Sequence, residues 1–174
     1  MKKVLSCLLA VLLLASISVM AFAAEAVPSV EAEKAAPTVA GAVDADGNDV
    51  TSAIIITDYA DKDTLPEEKQ AAMDEAAEAL KDLAALVEGN EELAELLGDS
   101  DYDCEALFDV TFVGDVAVPV KVDLELANAE NFAALLQLVD DGVALVETEL
   151  NEEVLTATLE GEGVYAVLSF VEAE

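Results

Sequence analysis

From Leu107 onward the apolar residues of this chain fall into a period of two, and that period constrains its fold more than any other feature. In AVPVKVDLELA, Val118, Val120, Val122, Leu124 and Leu126 share one face, while Pro119, Lys121, Asp123 and Glu125 share the other. Successive strand side chains point to opposite sides, so this segment reads as a strand with one face buried and one in water. Pro119 lacks a backbone donor, which makes this an edge strand or places the proline at its start. Further strands are expected at FAALLQLVD, VALVETEL, EVLTATLE and VYAVLSFV, separated by the turn-like DDG, NE and GEG. FAALLQLV also fits a helix, because alanine and leucine dominate it. Short strands at regular spacing with brief turns predict a small antiparallel sandwich.

Before that point the period is helical. In TLPEEKQAAMDEAAEALKDLAALVEG, Met73, Ala76, Ala77, Leu80, Leu83, Ala84 and Val87 fall at three- and four-residue intervals and make one apolar stripe. Thr64 and Glu67 have the spacing of a capping box, Pro66 is tolerated in a first turn, and Gly89 is expected to stop the helix in the left-handed conformation. Asn90 then caps a short second helix, EELAELL, which Gly98 ends. Upstream, TVAGAV and VTSAIIITDY read as strands, and Gly47 in the Asp/Asn cluster between them predicts a hairpin turn. The expected fold class is α+β: an antiparallel β-sandwich-like sheet with one long and one short amphipathic helix inserted between early strands.

The first 23 residues have the layout of a secretory signal peptide: Lys2 and Lys3, an uncharged apolar run, then Ala21-Phe22-Ala23 as a cleavage site. An uncleaved membrane anchor is the alternative. Residues 24–37 read as a flexible Ala/Glu/Pro spacer, and residues 38–174 as a single globular module. Cleavage leaves five lysines against 38 acids, a formal net charge of −33, with no arginine or histidine. Such a surface repels phosphate backbones and disfavours anionic membranes, so neither nucleic acid nor a membrane surface is an expected partner. Cations, basic proteins and neutral cell-envelope polymers remain. The hydrophobic content of 55% and the clear periodicity favour a folded, acid-coated domain over disorder.

Cys104 is the one cysteine after the leader, so no internal disulfide can form; it is expected as a small buried hydrophobe, with an intermolecular bridge as the alternative. Asp99, Asp101 and Asp103 alternate just before it and are the candidate calcium ligands. The pattern departs from an EF-hand loop at two points: Cys104 stands where glycine makes the sharp turn, and Val110 stands where a bidentate glutamate closes the site. DADGND, residues 44–49, fails in the same way. Without histidine a Ser-His-Asp or Cys-His arrangement is excluded, and no phosphate-binding glycine loop occurs. A carboxylate pair, as in glycoside hydrolysis, is the remaining catalytic route, and any acidic chain satisfies it loosely. Asp101, Asp103 and Glu105 would oppose formation of a Cys104 thiolate.

Tyr59 and Tyr102 lie near acidic loops and are candidate contact aromatics, or simply covers for the sandwich ends; Tyr165, in an alternating strand, is expected in the core. Asp58-Tyr59, the Ala/Glu-rich helix, Leu107-Phe108-Asp109-Val110, Val118-Pro119-Val120 and Gly163-Val164-Tyr165-Ala166-Val167 occur in that order. This order, over roughly residues 50–172, resembles modules of secreted and surface-attached proteins from gut-dwelling Gram-positive bacteria. In those modules LFDI-like and PVTV-like strands lead to a closing SPFAVV-like strand. The resemblance implies an extracellular location and a β-rich module, and it brings no catalytic residues. The chain departs from the pattern where DDGVALVE replaces a Gly-x-Trp turn, and where no wall-sorting signal accompanies the final SFVEAE. The expected role is a secreted, non-catalytic extracellular or envelope-associated interaction module for a protein or envelope polymer. A calcium- or cation-responsive module is the alternative, and a carboxylate-based glycoside hydrolase the less favoured one.

Overall fold

The alternating segment forms strand β4 (Val120–Glu125), in which Val120, Val122 and Leu124 are at most 1% exposed while Lys121 and Glu125 face water. Burying each of these aliphatic side chains contributes about 1.5–3 kcal/mol. This computed structural model describes residues 35–98, 100–139 and 142–171, so the expected leader and most of the spacer lie outside the described residues. Of the spacer, Pro37 is buried and the Ala36 amide donates to Asp58 Oδ2. Pro119 stands immediately before β4, which is an interior strand, so the proline marks a start and not an edge. Val118, placed on the buried face by the alternation, is 48% exposed because the strand begins after it.

The other strands are β1 (Thr38–Val43), β2 (Ile54–Asp58), β3 (Tyr102–Phe112), β5 (Phe132–Val139), β6 (Gly142–Leu145), β7 (Thr148–Asn151), β8 (Val154–Leu159) and β9 (Gly163–Phe170). They build two antiparallel sheets, β1-β4-β8-β7 and β2-β3-β9-β5-β6. The two sheets face each other across a core of Phe108, Val110, Val122, Leu124, Leu135, Leu155, Tyr165 and Val167. The opposite face of the five-stranded sheet carries the helices α1 (Glu67–Ala79), α2 (Leu83–Glu88) and α3 (Glu91–Leu97), inserted between β2 and β3. The fold is thus an α+β sandwich with a helical layer on one side.

Being covered on both faces explains why β9 reads as a near-continuous apolar run and why β3 is buried from Ala106 to Val110, Asp109 included. A register shift between Cys104 and Ala106 turns Cys104 toward the helices and Ala106 toward the sandwich, although positions two apart in a regular strand share a face. One extra residue in a strand reverses the faces that follow it. The acidic stretch before LFDV is sheet from Tyr102 onward, where β3 starts, and is not a turn up to LFDV. FAALLQLV is strand β5, as the strand reading expected. VALVETEL is divided: β6 belongs to the five-stranded sheet and β7 to the other, and the chain crosses at buried Val146, whose amide donates to the Leu135 carbonyl.

Four local expectations are corrected. β1 and β2 form no hairpin and lie in different sheets. The intervening loop is closed on Asp44, whose carboxylate accepts from the Asp46 and Asn48 amides and the Asn48 side chain, with Gly47 at φ +85°. The Thr64 capping box does not form, because Tyr59–Thr64 makes a 3₁₀ turn capped by Asp58, and Thr64 Oγ1 donates to the Asp61 carbonyl. α1 starts only after extended Pro66. The long helical run tightens to 3₁₀ at Leu80–Asp82, where Asp82 caps α2. A 3₁₀ turn advances about 120° per residue against about 100°, so the buried stripe is rotated. Leu86 becomes half-buried and Ala84 is exposed. Gly89 has φ −75°, and Asn90 leaves the helix instead, capping α3 through the Leu93 amide; Gly98, at φ +57°, supplies the left-handed stop.

A candidate binding groove between helices and sheet

The helical layer does not cover its sheet evenly. Near the start of β9, α1 presents alanines where longer side chains would fill the space, and a groove of about 610 Å³ opens. Ala72, Ala76, Ala79 and Leu86 form its helical wall, and Leu138, Val139, Gly142, Gly163 and Val164 its sheet wall. Glu68, Glu75 and Glu162 stand around it, and Lys69 and Asp109 lie at its side. Gly163 has φ +142°, a conformation that strains any residue with a side chain, and a Cβ there would meet Gln137 Nε2.

Asp109 is 1% exposed on β3, which would be costly for an unpaired carboxylate. It is satisfied from two sides: Lys69 Nζ donates at 2.9 Å and Thr111 Oγ1 at 2.7 Å, while Lys69 also donates to Thr111 Oγ1. This cluster ties α1 to the central sheet. Glu162 is held as well, since its Oε1 accepts the Phe112 amide across the sheet end. The groove therefore has an apolar floor, acidic surroundings, and one lysine already neutralised. Four carboxylates and one ammonium give the lining a formal charge of −3.

A second depression of about 480 Å³ lies where the chain crosses between sheets, lined by Leu96, Phe132, Leu145, Val146 and Leu150 with Glu92 and Glu147. Between the two sheets the packing is closed. The space at their end, lined by Pro37, Ala106 and Val167 among others, holds about 10 Å³, at the lower limit for one water.

The residues singled out from sequence lie elsewhere. Asp99 is outside the described residues. Asp101 is exposed ahead of β3, and Asp103 lies on β3, with Oδ1 accepting the Cys104 amide at 2.8 Å. Among the described residues no group of three or more His, Cys, Asp or Glu side chains is placed to hold a metal ion. Cys104 is 2% exposed, packs in the helix-facing core, and donates weakly to the Ala106 carbonyl.

Tyr59 donates to Asp74, and Lys62 sits 4.4 Å above the Tyr59 ring and pairs with Asp74. Tyr102 packs half-buried against the helical core, and burial, reinforced by Glu88, raises its phenol pKa. Both tyrosines are thus engaged within the fold. Tyr165 is fully buried, stacks on Phe108 with centroids 6.1 Å apart, and donates to the Gly161 carbonyl at 2.6 Å. Its phenol pKa is raised strongly, first by burial and then by Glu160.

Sequence reasoning missed the groove. Two signals point to it: the small residues Ala72, Ala76 and Ala79 on one helix face, and a lysine, rare in this chain, facing a strand aspartate inside LFDV. Among the described residues no helix is long and apolar enough to cross a membrane. No family model, no curated protein and no solved structure matches the chain.

Proposed function

We propose that this chain is a secreted, non-catalytic interaction module of the extracellular space or cell envelope, and that the groove between α1 and the five-stranded sheet is its contact surface. One observation carries the reading. The groove joins a broad apolar floor to a few polar groups, which is the make-up of a binding site. Its innermost carboxylate, Asp109, is held by Lys69 and Thr111 and does structural work there.

The test fills the groove. Ala72 is exposed, so Ala72→Phe changes the wall with little demand on the core. The immobilised mature protein is expected to retain an envelope component of the producing cell at physiological salt, and Ala72→Phe to lose most of that retention at an unchanged melting temperature. Equal retention by both proteins would remove the groove as the contact surface. Release of reducing sugar from extracellular glycans, abolished by Glu162→Gln, would instead favour the hydrolase.

A cation-responsive role has its own support: a formal charge of −31, with Lys62, Lys69 and Lys81 each already paired to a carboxylate. Cations relieve such self-repulsion. Calcium and magnesium are then expected to raise the melting temperature alike at matched ionic strength, and a larger effect of calcium would mark a built site.

A further inference from the structure

We infer that the groove takes a cationic amphipathic segment of a partner protein, one carrying lysine or arginine beside apolar side chains; this rests on the groove being the contact surface. The floor and the surroundings make different demands, and one occupant meets both. Ala76, Leu138 and Val164 offer apolar surface, which calls for apolar contact from the ligand. Glu68, Glu75 and Glu162 add negative charge around that surface, which calls for a cation. Lysine and arginine lay an aliphatic stem on apolar surface while their charged ends reach outward, so such side chains satisfy both demands at once. A carboxylate forks naturally with a guanidinium.

The remaining occupants fit less well. An acidic or phosphorylated ligand would meet a lining of charge −3, in which Lys69 is already bonded to Asp109 and Thr111. A second copy of this chain would bring another formal charge of −31. The chain's own residues 24–34, AEAVPSVEAEK, carry three glutamates against one lysine and would be repelled. The second depression, beside Leu96 and Leu150, has two carboxylates and serves as an internal control.

Screening decides how location can be tested. At physiological ionic strength the Debye length is about 8 Å, so charges on distant faces contribute little to local binding. The protein has no tryptophan, so the fluorescence of one tryptophan in a synthetic probe reports binding without background. The probe is an amphipathic Lys/Leu peptide with a single tryptophan. It is compared with a Glu/Leu counterpart and with a Lys/Ser peptide of equal charge, all titrated with the full mature protein in physiological saline.

The Lys/Leu probe is expected to bind, and Glu68→Gln/Glu75→Gln to weaken it about fivefold to tenfold, the range for losing two exposed ion pairs. Glu92→Gln/Glu147→Gln, which removes the same charge at the second depression, is expected to leave binding unchanged. Ala72→Phe is expected to weaken it about tenfold or more by occupying the apolar floor. Equal losses from both double variants, or equal binding of the Lys/Ser peptide, would overturn the proposal in favour of diffuse electrostatics. Tighter binding of the Glu/Leu peptide would overturn the cationic assignment while leaving the groove as contact surface. Binding of the Lys/Leu probe indifferent to Ala72→Phe would overturn both. A dimer in sedimentation that Ala72→Phe dissociates would assign the groove to a second copy instead.

Discussion

The two faces of the five-stranded sheet are packed differently, and the proposed contact surface lies on the more open one. Toward the four-stranded sheet, Phe108, Tyr165, Val120, Val122, Leu124 and Leu155 interlock, each at most 1% exposed. Toward the helices the contacts include Ala76, Ala77, Ala133, Ala134 and Ala166, and a groove of about 610 Å³ remains beside them. Large side chains such as Met73, Leu80, Leu93 and Leu136 are fully buried on the helical side too, and that side stays open only where the alanines of α1 line the groove. In the proposed reading the sandwich is the rigid support, and the helix-facing side is where a partner would be taken up at little cost to the fold.

Cavity-making substitutions should break this comparison most sharply if it is wrong. Tyr165→Ala and Phe108→Ala are each expected to cost about 3–5 kcal/mol, the range for aromatic truncation in a closed core. Met73→Ala, buried on α1 against the more open side, is expected at the low end of the 2–5 kcal/mol range, about 2–3, because its surroundings can relax. Urea unfolding of the mature domain measures all three. A Met73→Ala cost above that of Tyr165→Ala would show that the helix-facing side is packed as tightly as the sandwich.

Next comes the tie that holds the helical layer to the sheet. Asp109→Ala leaves the Lys69 ammonium without its carboxylate, and because that side chain is 28% exposed it can turn to water. A cost of about 1–3 kcal/mol is expected, below that of breaking a fully buried pair. Lys69→Met/Asp109→Leu removes both charges together and is expected to recover most of the loss. Failure of the double variant to exceed Asp109→Ala in stability would mean that the cluster works by local geometry and not by pairing charge.

The elements were legible in the sequence where one face alone is buried. β4, the helical stripe from Met73 to Leu83 and the Asn90 cap all follow from period and capping chemistry. The errors fall where tertiary context overrides a local signal. The Gly47 turn is real, yet the strands beside it join different sheets, because Asp44 closes a wider loop than a hairpin uses. VALVETEL has continuous β character, and nothing in its pattern shows that Val146 carries the chain from one sheet to the other. The acids singled out before Cys104 were chosen for their spacing. The groove depends instead on residues from α1, β3, β5 and β9 that only the fold brings together.

The smallest effects separate two polar anchors, one on each side of this comparison. Asn90 caps α3 on the helical side and also donates to the Val143 carbonyl, and Asn90→Ala is expected to cost about 1 kcal/mol at any pH, since no ionisation is involved. Asp44 closes the β1–β2 loop on the sandwich side. Its pKa is lowered from the ordinary 3.8, first by the Asn48 side chain and then by the Asn48 backbone amide. A carboxylate with a depressed folded pKa binds protons more weakly when folded, so its contribution is present above the unfolded value and disappears as pH falls through the folded one. The stability difference between wild type and Asp44→Asn should therefore be full at neutral pH and shrink as pH falls below 3.8 through the lowered folded pKa, while the Asn90→Ala difference stays level, in melts at fixed ionic strength. A difference for Asp44→Asn that stays constant down the acid limb would mean that the loop is held by the shape of its hydrogen bonds and not by the carboxylate charge.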